Sequence, residues 1–217
     1  KVREDLVAAG IGNQDKYCVF FPGLPAPKIF AKAAAQNVLG ISSQTLFITF
    51  VGRLTQIKRP DRLLDVAKEC KQRGLDVRFL VAGEGELFES SKERSLKEQL
   101  NLTFFGWRSD IDQIFAASDI AILTSDNEGI PLTLIQAAQA SLPIVATNVG
   151  SISDIVINES TGYLTPTNPA VMADAIEKLV RDPQLRQMMG EAGKARAGQF
   201  FSLDRMLKDH SDLYRTL

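Results

Sequence analysis

Residues 46–60 read LFITFVGRLTQIKRP, and this stretch decides how the rest of the chain is interpreted. Its first six residues are all apolar or β-branched, a composition typical of a strand that is buried on both faces. A glycine and a polar loop with cations follow. Pro60 then suits the first turn of a helix, because proline lacks an amide that the helix start would leave unpaired. The stretch predicts a buried strand, a polar loop and a helix, in that order.

The same order of strand and helix recurs along most of the chain. Short apolar runs alternate with stretches whose apolar residues have the spacing of one helix face. Such alternation predicts an α/β fold: a Rossmann-like, doubly wound parallel sheet flanked by helices. The predicted strands are Tyr17–Phe21, Leu46–Val51, Val77–Ala82, Leu102–Phe105, Ile120–Leu123, Pro143–Ala146 and Gly162–Leu164.

From residue 168 onward the pattern changes to helices without strands between them. Helices are predicted over Pro169–Val180, from Pro183 to about Ala197, and from Ser202 to the end of the sequence. Asn168 and Ser202 are suited to N-cap helices, because their side-chain oxygens can accept hydrogen bonds from free amides. The last helix carries an apolar stripe that is expected to cover another surface.

Composition limits the classes of function. Lys and Arg number 25 against 26 Asp and Glu, so no overall field favours nucleic acid or an anionic membrane, and any anion site must be local. Cys18 and Cys70 lack the spacing of a metal site, and no apolar run is long enough to span a membrane. We therefore expect a cytoplasmic protein with no disulfide scaffold and no bound metal.

Ligands of doubly wound sheets bind beyond the carboxyl ends of the strands, so the residues after each strand are the candidate site. Gly52, Arg53 and Lys58 follow the strand at 46–51. Arginine offers a planar fork of donors and lysine a point charge, a pairing that suits the oxygens of a diphosphate. Alternatively, both are ordinary solvated cations of a surface loop.

The next two strands end in glycines and in an aromatic residue. Gly83 and Gly85 could let the backbone approach a ligand closely, although a tight turn explains them equally well. Trp107 and Arg108 could flank a flat base, or the indole could pack on its own loop. The dinucleotide fingerprint Gly-x-Gly-x-x-Gly after the first strand is absent.

The strand at 120–123 is followed by TSDNEGIPLT, residues 124–133. Gly129 is expected to let the chain turn sharply and Pro131 to start a helix. The free amides of Leu132 and Thr133 would then form an anion site. Glu128 would lie beside that site, and because a carboxylate repels phosphate, the hydroxyls of a sugar are its better partners.

Together these segments resemble the C-terminal domain of GT-B glycosyltransferases of the glycosyl transferases group 1 type, also called family 4. The resemblance covers nearly the whole chain and depends on an ordered set of motifs. They are FVGRL at 50–54, FLVAGEG at 79–85, FFGW at 104–107, EGIPL at 128–132 and LPIVAT at 142–147.

The resemblance implies that the chain binds a nucleotide-diphosphate sugar and serves a retaining glycosyltransferase, with no cofactor. Arg53 and Lys58 would contact the diphosphate and Glu128 a sugar hydroxyl, which makes these three the catalytic residues. The other donor-binding residues would be Gly52, Gly83, Gly85, Trp107, Arg108, Gly129, Ile130, Leu132, Thr133 and Gln136.

Gln136 departs from the family's pattern. The family usually has a second glutamate at this position, eight residues after the first, which holds the ribose hydroxyls. A charge-assisted hydrogen bond contributes about 1.5–3 kcal/mol, against about 0.5–1.5 kcal/mol for a neutral amide. We therefore expect donor affinity to fall severalfold, in a specialised or in a degenerate enzyme.

The resemblance also implies a division of the protein. Residues 1–22 would be the interdomain tail and first strand, 23–201 the nucleotide-sugar-binding domain, and 202–217 a C-terminal crossover helix. The acceptor, a glycan, lipid or other molecule, would be held by a missing N-terminal domain, in line with the absent initiator Met. That domain could also make a peripheral membrane contact, and the chain alone would transfer little.

Two other functions stay open. Sugar-nucleotide epimerases of the non-hydrolysing type share the GT-B layout, but they should place histidines in the cleft. The single histidine, His210, is better interpreted as an ordinary residue of the last helix. A module that binds a nucleotide sugar without transferring it would agree with Gln136 and with the missing half.

Overall fold

The structure is a computed structural model that describes residues 2–41 and 45–216. The strands in these ranges are β1 Leu46–Val51, β2 Val77–Ala82, β3 Leu102–Gly106, β4 Ile120–Leu123, β5 Ile144–Thr147 and β6 Gly162–Thr165. They form a parallel sheet in the order β3-β2-β1-β4-β5-β6, which confirms the predicted doubly wound fold. The order reverses between β1 and β4, so their carboxyl ends flank the crevice where such sheets bind ligands.

Helices cover both faces of the sheet. In the described residues they are α1 Val2–Ala8, α2 Lys32–Val38, α3 Pro60–Gln72, α4 Phe88–Lys97, α5 Ile111–Ala117, α6 Leu132–Gln139, α7 Pro169–Arg181, α8 Pro183–Phe200 and α9 Leu203–Thr216. Both predicted caps are present: Asn168 Oδ1 accepts the amide of Ala170 at 2.9 Å, and Ser202 Oγ that of Arg205 at 3.4 Å. None of these helices is long and apolar enough to cross a membrane.

Successive strand residues point to opposite faces of the sheet and fill two apolar clusters. In β1, Phe47 belongs to the smaller cluster, together with Ala35 of α2 and Ile114 of α5. Ile48 and Phe50 belong to the larger cluster, which also receives residues of α3, α6 and α7. The sheet is therefore buried on both faces, which explains why β1 reads as a continuous apolar run.

One predicted strand is wrong. Residues 17–21 have no regular secondary structure, whereas the six other strands agree with their predicted bounds to within one residue at either end. Phe20 and Phe21 of this segment pack against α9 and against the residue that follows α8, instead of entering a sheet. The ring centroid of Phe20 lies 4.7 Å from that of His210, and Phe21 lies 5.3 Å from Phe201. Periodicity alone does not distinguish these two ways of burying a short apolar run.

The segment at 21–24 also holds the start of α9. The amide of Leu24 donates to Phe201 O at 2.9 Å, and the amide of Leu203 donates to Leu24 O at 3.0 Å. The guanidinium of Arg205 donates to Phe21 O at 2.5 Å. The chain before the sheet and the chain after it are thus joined by backbone and side-chain hydrogen bonds.

Candidate functional site

An ion pair joins the loops that follow β1 and β4. Lys58 Nζ lies 2.5 Å from Glu128 Oε1, and the two side chains are only 19% and 9% exposed. Ser125 Oγ donates to the same carboxylate oxygen at 2.6 Å. Two residues that the sequence predicts for different parts of one ligand are therefore in direct contact, in surroundings that screen their charges little.

Arg53 differs from Lys58 in its surroundings. It lies two residues after β1, its side chain is exposed, and it makes no side-chain hydrogen bond or ion pair with a residue of the described ranges. Its planar set of donors therefore remains available to an anion at the carboxyl end of β1.

The glycines after β2 are required by contacts within the protein. Gly83 has φ +138°, and a Cβ there would lie 1.9 Å from the carbonyl oxygen of Gly52. Gly85 has φ +156°, and a Cβ there would lie 2.5 Å from Leu54 O. The amide of Leu54 in turn donates to Glu84 O at 2.9 Å. The missing Cβ atoms let the loops after β1 and β2 pack backbone to backbone.

A cleft of about 340 Å³ lies at the carboxyl ends of β1, β2 and β3. Five of the predicted site residues line it: Gly52, Arg53, Gly83, Trp107 and Arg108. The indole of Trp107 leaves 71% of its residue surface exposed, so it does not pack away on its own loop. The structure therefore brings Arg53 and the predicted base-binding residues to one cavity, whereas Lys58 and Glu128 are not among the residues that line it.

Arg108 is engaged within this cleft by its own loop. Its Nε and Nη2 donate to the two oxygens of Asp110 at 2.7 and 2.5 Å, and its guanidinium lies 5.6 Å from the ring centroid of Phe105. These hydrogen bonds from Arg108 lower the pKa of Asp110. A base at this position would meet the exposed indole of Trp107 and a guanidinium whose charge is already paired.

The turn before α6 differs from the prediction. Gly129 does not adopt a positive φ, and a Cβ there would meet nothing within 4 Å. The close approach belongs to Gly150, which has φ +56° and whose added Cβ would lie 1.8 Å from Glu128 O. Pro131 is the N-cap of α6 and not its first helical residue. The glycine that this turn needs thus comes from the loop after β5.

The remaining predicted residues lie on α6 and just before it. Leu132 and Thr133 open the helix, where amides lack partners within the helix itself. Ile130 lines a second cleft of about 530 Å³, next to residues 17–21. Gln136 is half-buried and its side chain has no hydrogen bond to a described residue. The donors to Glu128 among the described residues are Lys58 and Ser125, and not Gln136.

The same two loops carry a second group of charged residues, which the sequence did not predict as part of the site. Arg62 is 6% exposed in its side chain, and its Nη2 lies 2.6 Å from Asp126 Oδ1. Arg59 Nη1 lies 2.9 Å from Asp126 Oδ2. Because Asp126 follows a strand, its position indicated a residue of the site. No spacing rule, however, pairs it with cations more than sixty residues earlier.

Metal ligands and reactive thiols give no further candidates. Within residues 2–41 and 45–216, no group of three His, Cys, Asp or Glu is placed to hold a metal ion. Cys18 is exposed and Cys70 is buried, and both are free. Burial raises the pKa of the Cys70 thiol to about 12, so it is protonated at neutral pH.

Curated relatives resemble the chain over most of its length. The UDP-Gal:alpha-D-GlcNAc-diphosphoundecaprenol alpha-1,3-galactosyltransferase of Escherichia coli is 31% identical over 198 residues, which are 87% of this chain and 50% of that protein. The D-inositol 3-phosphate glycosyltransferase of Corynebacterium diphtheriae is 30% identical over 213 residues, 90% of this chain and 50% of that protein. The chain spans about half the length of these relatives.

Solved structures share the fold at lower identity. Anabaena HepE in complex with UDP and glucose has a TM-score of 0.89 at 21% identity, over 99% of this chain and 61% of that one. Sucrose-phosphate synthase from Thermosynechococcus elongatus has a TM-score of 0.86 at 20% identity, over 100% of this chain and 56% of that one. At this level of identity the likeness concerns the fold.

A family profile covers the sheet and the predicted site. The profile described as "Glycosyl transferases group 1" matches residues 31–196, which run from α2 into α8 and contain Arg53, Lys58, Glu128 and Gln136. Because this match takes in most of the chain and both loops of the ion pair, the chain belongs to the glycosyl transferases group 1 family.

Proposed function

We propose that the chain is the donor-binding half of a retaining glycosyltransferase. It would bind a nucleoside-diphosphate sugar at the carboxyl ends of β1 and β4, while a domain outside the chain holds the acceptor. The observation that carries this proposal is the placement of Arg53, Lys58 and Glu128 around the crevice between these two strands. The length of the relatives, about twice the matched part, supports a second domain.

The charges fit the departure of a diphosphate. When the bond between the sugar and the diphosphate breaks, negative charge develops on the leaving phosphate. Donors that are already in place stabilise such charge without reorganisation. Arg53 offers an unengaged guanidinium for this task, and Lys58 offers a cation that a nearby carboxylate holds in place. This chemistry needs no nucleophile from the protein and no metal.

Glu128 has one oxygen left for a sugar. Lys58 and Ser125 both donate to Oε1, and no described residue donates to Oε2. We place a sugar hydroxyl at Oε2. Since the side chain is only 9% exposed, a sugar hydroxyl would supply Oε2 with a charge-assisted hydrogen bond in partly buried surroundings. The carboxylate of Glu128 would thus bind the sugar and the cation next to the diphosphate at the same time.

Calorimetry of the chain with UDP tests the donor site. UDP is the first probe because the Escherichia coli relative has UDP-Gal in its name, with ADP and GDP as competitors for base preference. Arg53→Ala should raise the Kd for UDP about tenfold or more, the loss expected for a charge-assisted bond to phosphate. Lys58→Met should weaken binding as well, and it keeps the length of the side chain.

A matched control is Lys97→Ala. Lys97 is an exposed cation at the end of α4, where the chain leads into the start of β3 at the opposite edge of the sheet. Its removal changes the net charge by the same amount and should leave the Kd unchanged. The proposal fails if the chain binds none of these nucleotides, or if Arg53→Ala binds UDP as tightly as Lys97→Ala does.

A further inference from the structure

We infer that Asp126 is a positioning residue, which fixes the loop after β1 against the loop after β4 so that Lys58 meets Glu128. The inference adds a residue to the proposed function and rests on it where donor binding is concerned. The carboxylate of Asp126 forms its hydrogen bonds with Arg59 and Arg62, and not with Lys58 or Glu128. It would act through the two arginines that flank the start of α3.

The carboxylate of Asp126 joins both arginines. Oδ1 accepts from Arg62 Nη2 at 2.6 Å, and Oδ2 accepts from Arg59 Nη1 at 2.9 Å. Both oxygens are thus engaged by guanidinium groups, which fits a structural link better than direct contact with a ligand. Hydrogen bonds from Arg59, and then from Arg62, lower the pKa of Asp126, so the link is charged at neutral pH.

One backbone and two side-chain hydrogen bonds connect the same loop to the chain around Lys58. The amide of Asp126 donates to Ile57 O at 2.9 Å, one residue before Lys58. Thr124 Oγ1 donates to the carbonyl oxygen of Lys58 at 2.9 Å. Arg62, which is 6% exposed, donates to Thr124 O at 2.5 Å. The loop after β4 therefore holds the residues on both sides of the Lys58 side chain.

Arg59 gives a reason why this link is needed. It has φ 51° and ψ 58°, the left-handed region that a residue with a Cβ rarely adopts, at the junction between the turn Gln56–Lys58 and α3. Such a conformation persists only where the surroundings determine it. Hydrogen bonds to Asp61 within α3 and to Asp126 across the loops hold this guanidinium. Of these two partners, only Asp126 connects the start of α3 to the loop after β4.

Asp61→Asn is therefore a matched control for Asp126→Asn. Both changes remove a carboxylate partner of Arg59 and keep the shape of the side chain, but Asp61 lies in the first turn of the helix that Arg59 precedes. Arg59→Lys removes the link from the other side, because a lysine cannot bridge two carboxylates in the same fork. Thermal unfolding of each variant shows whether it keeps the fold.

The decisive readout is the ammonium resonance of Lys58, observed by proton–nitrogen NMR of the labelled chain and identified by its loss in Lys58→Arg. In Asp126→Asn and Arg59→Lys this resonance should shift or broaden, since the ammonium leaves Glu128 and exchanges protons with water faster. In Asp61→Asn it should stay as in the wild type. A general loss of stability would not distinguish the variants in this way.

UDP titration gives the functional counterpart. We expect Asp126→Asn to raise the Kd for UDP about tenfold, within the range measured for coupled residues of one network, and Asp61→Asn to raise it less than twofold. An unchanged Lys58 resonance in Asp126→Asn, or an equal change in Asp61→Asn, would overturn the inference. If the wild type binds no UDP, the proposed function fails, while the resonance still decides the role of Asp126.

Discussion

Glu128 and Gln136 differ in whether the protein itself fixes the position of the side chain. Glu128 is held by two donors on neighbouring loops, so its position follows from the fold. Gln136 is half-buried on α6 without a side-chain partner among the described residues, so a ligand is free to set its rotamer. The family's usual glutamate would carry a charge at this place.

Changing Gln136→Glu should tighten UDP binding about threefold to tenfold, because a carboxylate accepts from ribose hydroxyls more strongly than an amide does. Calorimetry with UDP measures the gain, and it should shrink with 2′-deoxy-UDP, which lacks one of these hydroxyls. Gln139→Glu is the control. It adds the same charge to α6 at a residue that donates to Pro25 O, and it should bring no gain.

Asp126 makes the stability of the protein depend on pH in a defined direction. Its pKa in the folded chain is lowered, chiefly by Arg59. A lowered pKa contributes stability that is present above the unfolded value, about 3.9, and is lost as the pH falls through the folded value. Because the side chain is 45% exposed, solvent screening keeps this contribution to about 1 kcal/mol.

Urea unfolding of wild type and Asp126→Asn should therefore differ most near pH 7. The difference in free energy of unfolding should shrink below about pH 4, where the carboxylate takes up a proton in the unfolded chain first, and should vanish as the pH falls through the lower pKa of the folded chain. A difference that stays constant from neutral to acid pH would contradict a charged role for Asp126. Asp61→Asn is expected to follow the same course, since Arg59 also lowers the pKa of Asp61.

At the scale of elements, the loops that follow neighbouring strands pack closely against one another. The loops after β1 and β2 meet through Gly83 and Gly85, and the loops after β4 and β5 meet through Gly150. Lys58 and Glu128 then join the two halves of the sheet across the point where the strand order reverses. The site is thus built from loops that the sheet holds at fixed separations.

Gly83→Ala should disrupt the first of these contacts. A Cβ at 1.9 Å from the carbonyl oxygen of Gly52, on a residue with φ +138°, forces the two loops apart. We expect a loss of about 2–4 kcal/mol in the free energy of unfolding and weaker UDP binding. Gly129→Ala, which meets open space, should change stability by less than about 0.5 kcal/mol. Chemical denaturation compares the two, and equal losses would contradict the packing argument.

At the scale of the whole molecule, the segment that precedes the sheet is joined to the start of the last helix. Residues 21–24 hold the start of α9, while Leu207 and Tyr214 of that helix stay 56% and 73% exposed. The chain thus covers the beginning of α9 and, through Phe20, also His210, and it leaves Leu207 and Tyr214 exposed.

Gly23→Ala should loosen α9 without affecting the sheet. A Cβ at Gly23 would lie 2.4 Å from Ser202 O and 2.7 Å from Met206 Cβ, so the helix has to move. Hydrogen exchange of the α9 amides should become about tenfold faster, while that of β1 stays the same, since local opening is separate from global unfolding. Gly198→Ala, which meets nothing within 4 Å, is the control. Faster exchange throughout the sheet would show that α9 is part of the core.

The sequence by itself determined the sheet and the loops that carry the site. β1, β2 and β4 were predicted at their observed bounds, because strands buried on both faces must be apolar throughout and are ended by glycine or polar residues. The candidate residues Arg53, Lys58 and Glu128 followed from the rule that ligands of such sheets bind beyond the carboxyl ends of strands.

The tertiary structure alone decided which of these residues touch. The contact between Lys58 and Glu128, the link from Asp126 to Arg59 and Arg62, and the packing of residues 17–21 on helices instead of in a sheet all join distant parts of the chain. Local propensity and periodicity report on a residue and its near neighbours. A contact across seventy positions depends instead on strand order and loop geometry, which exist only once the chain has folded.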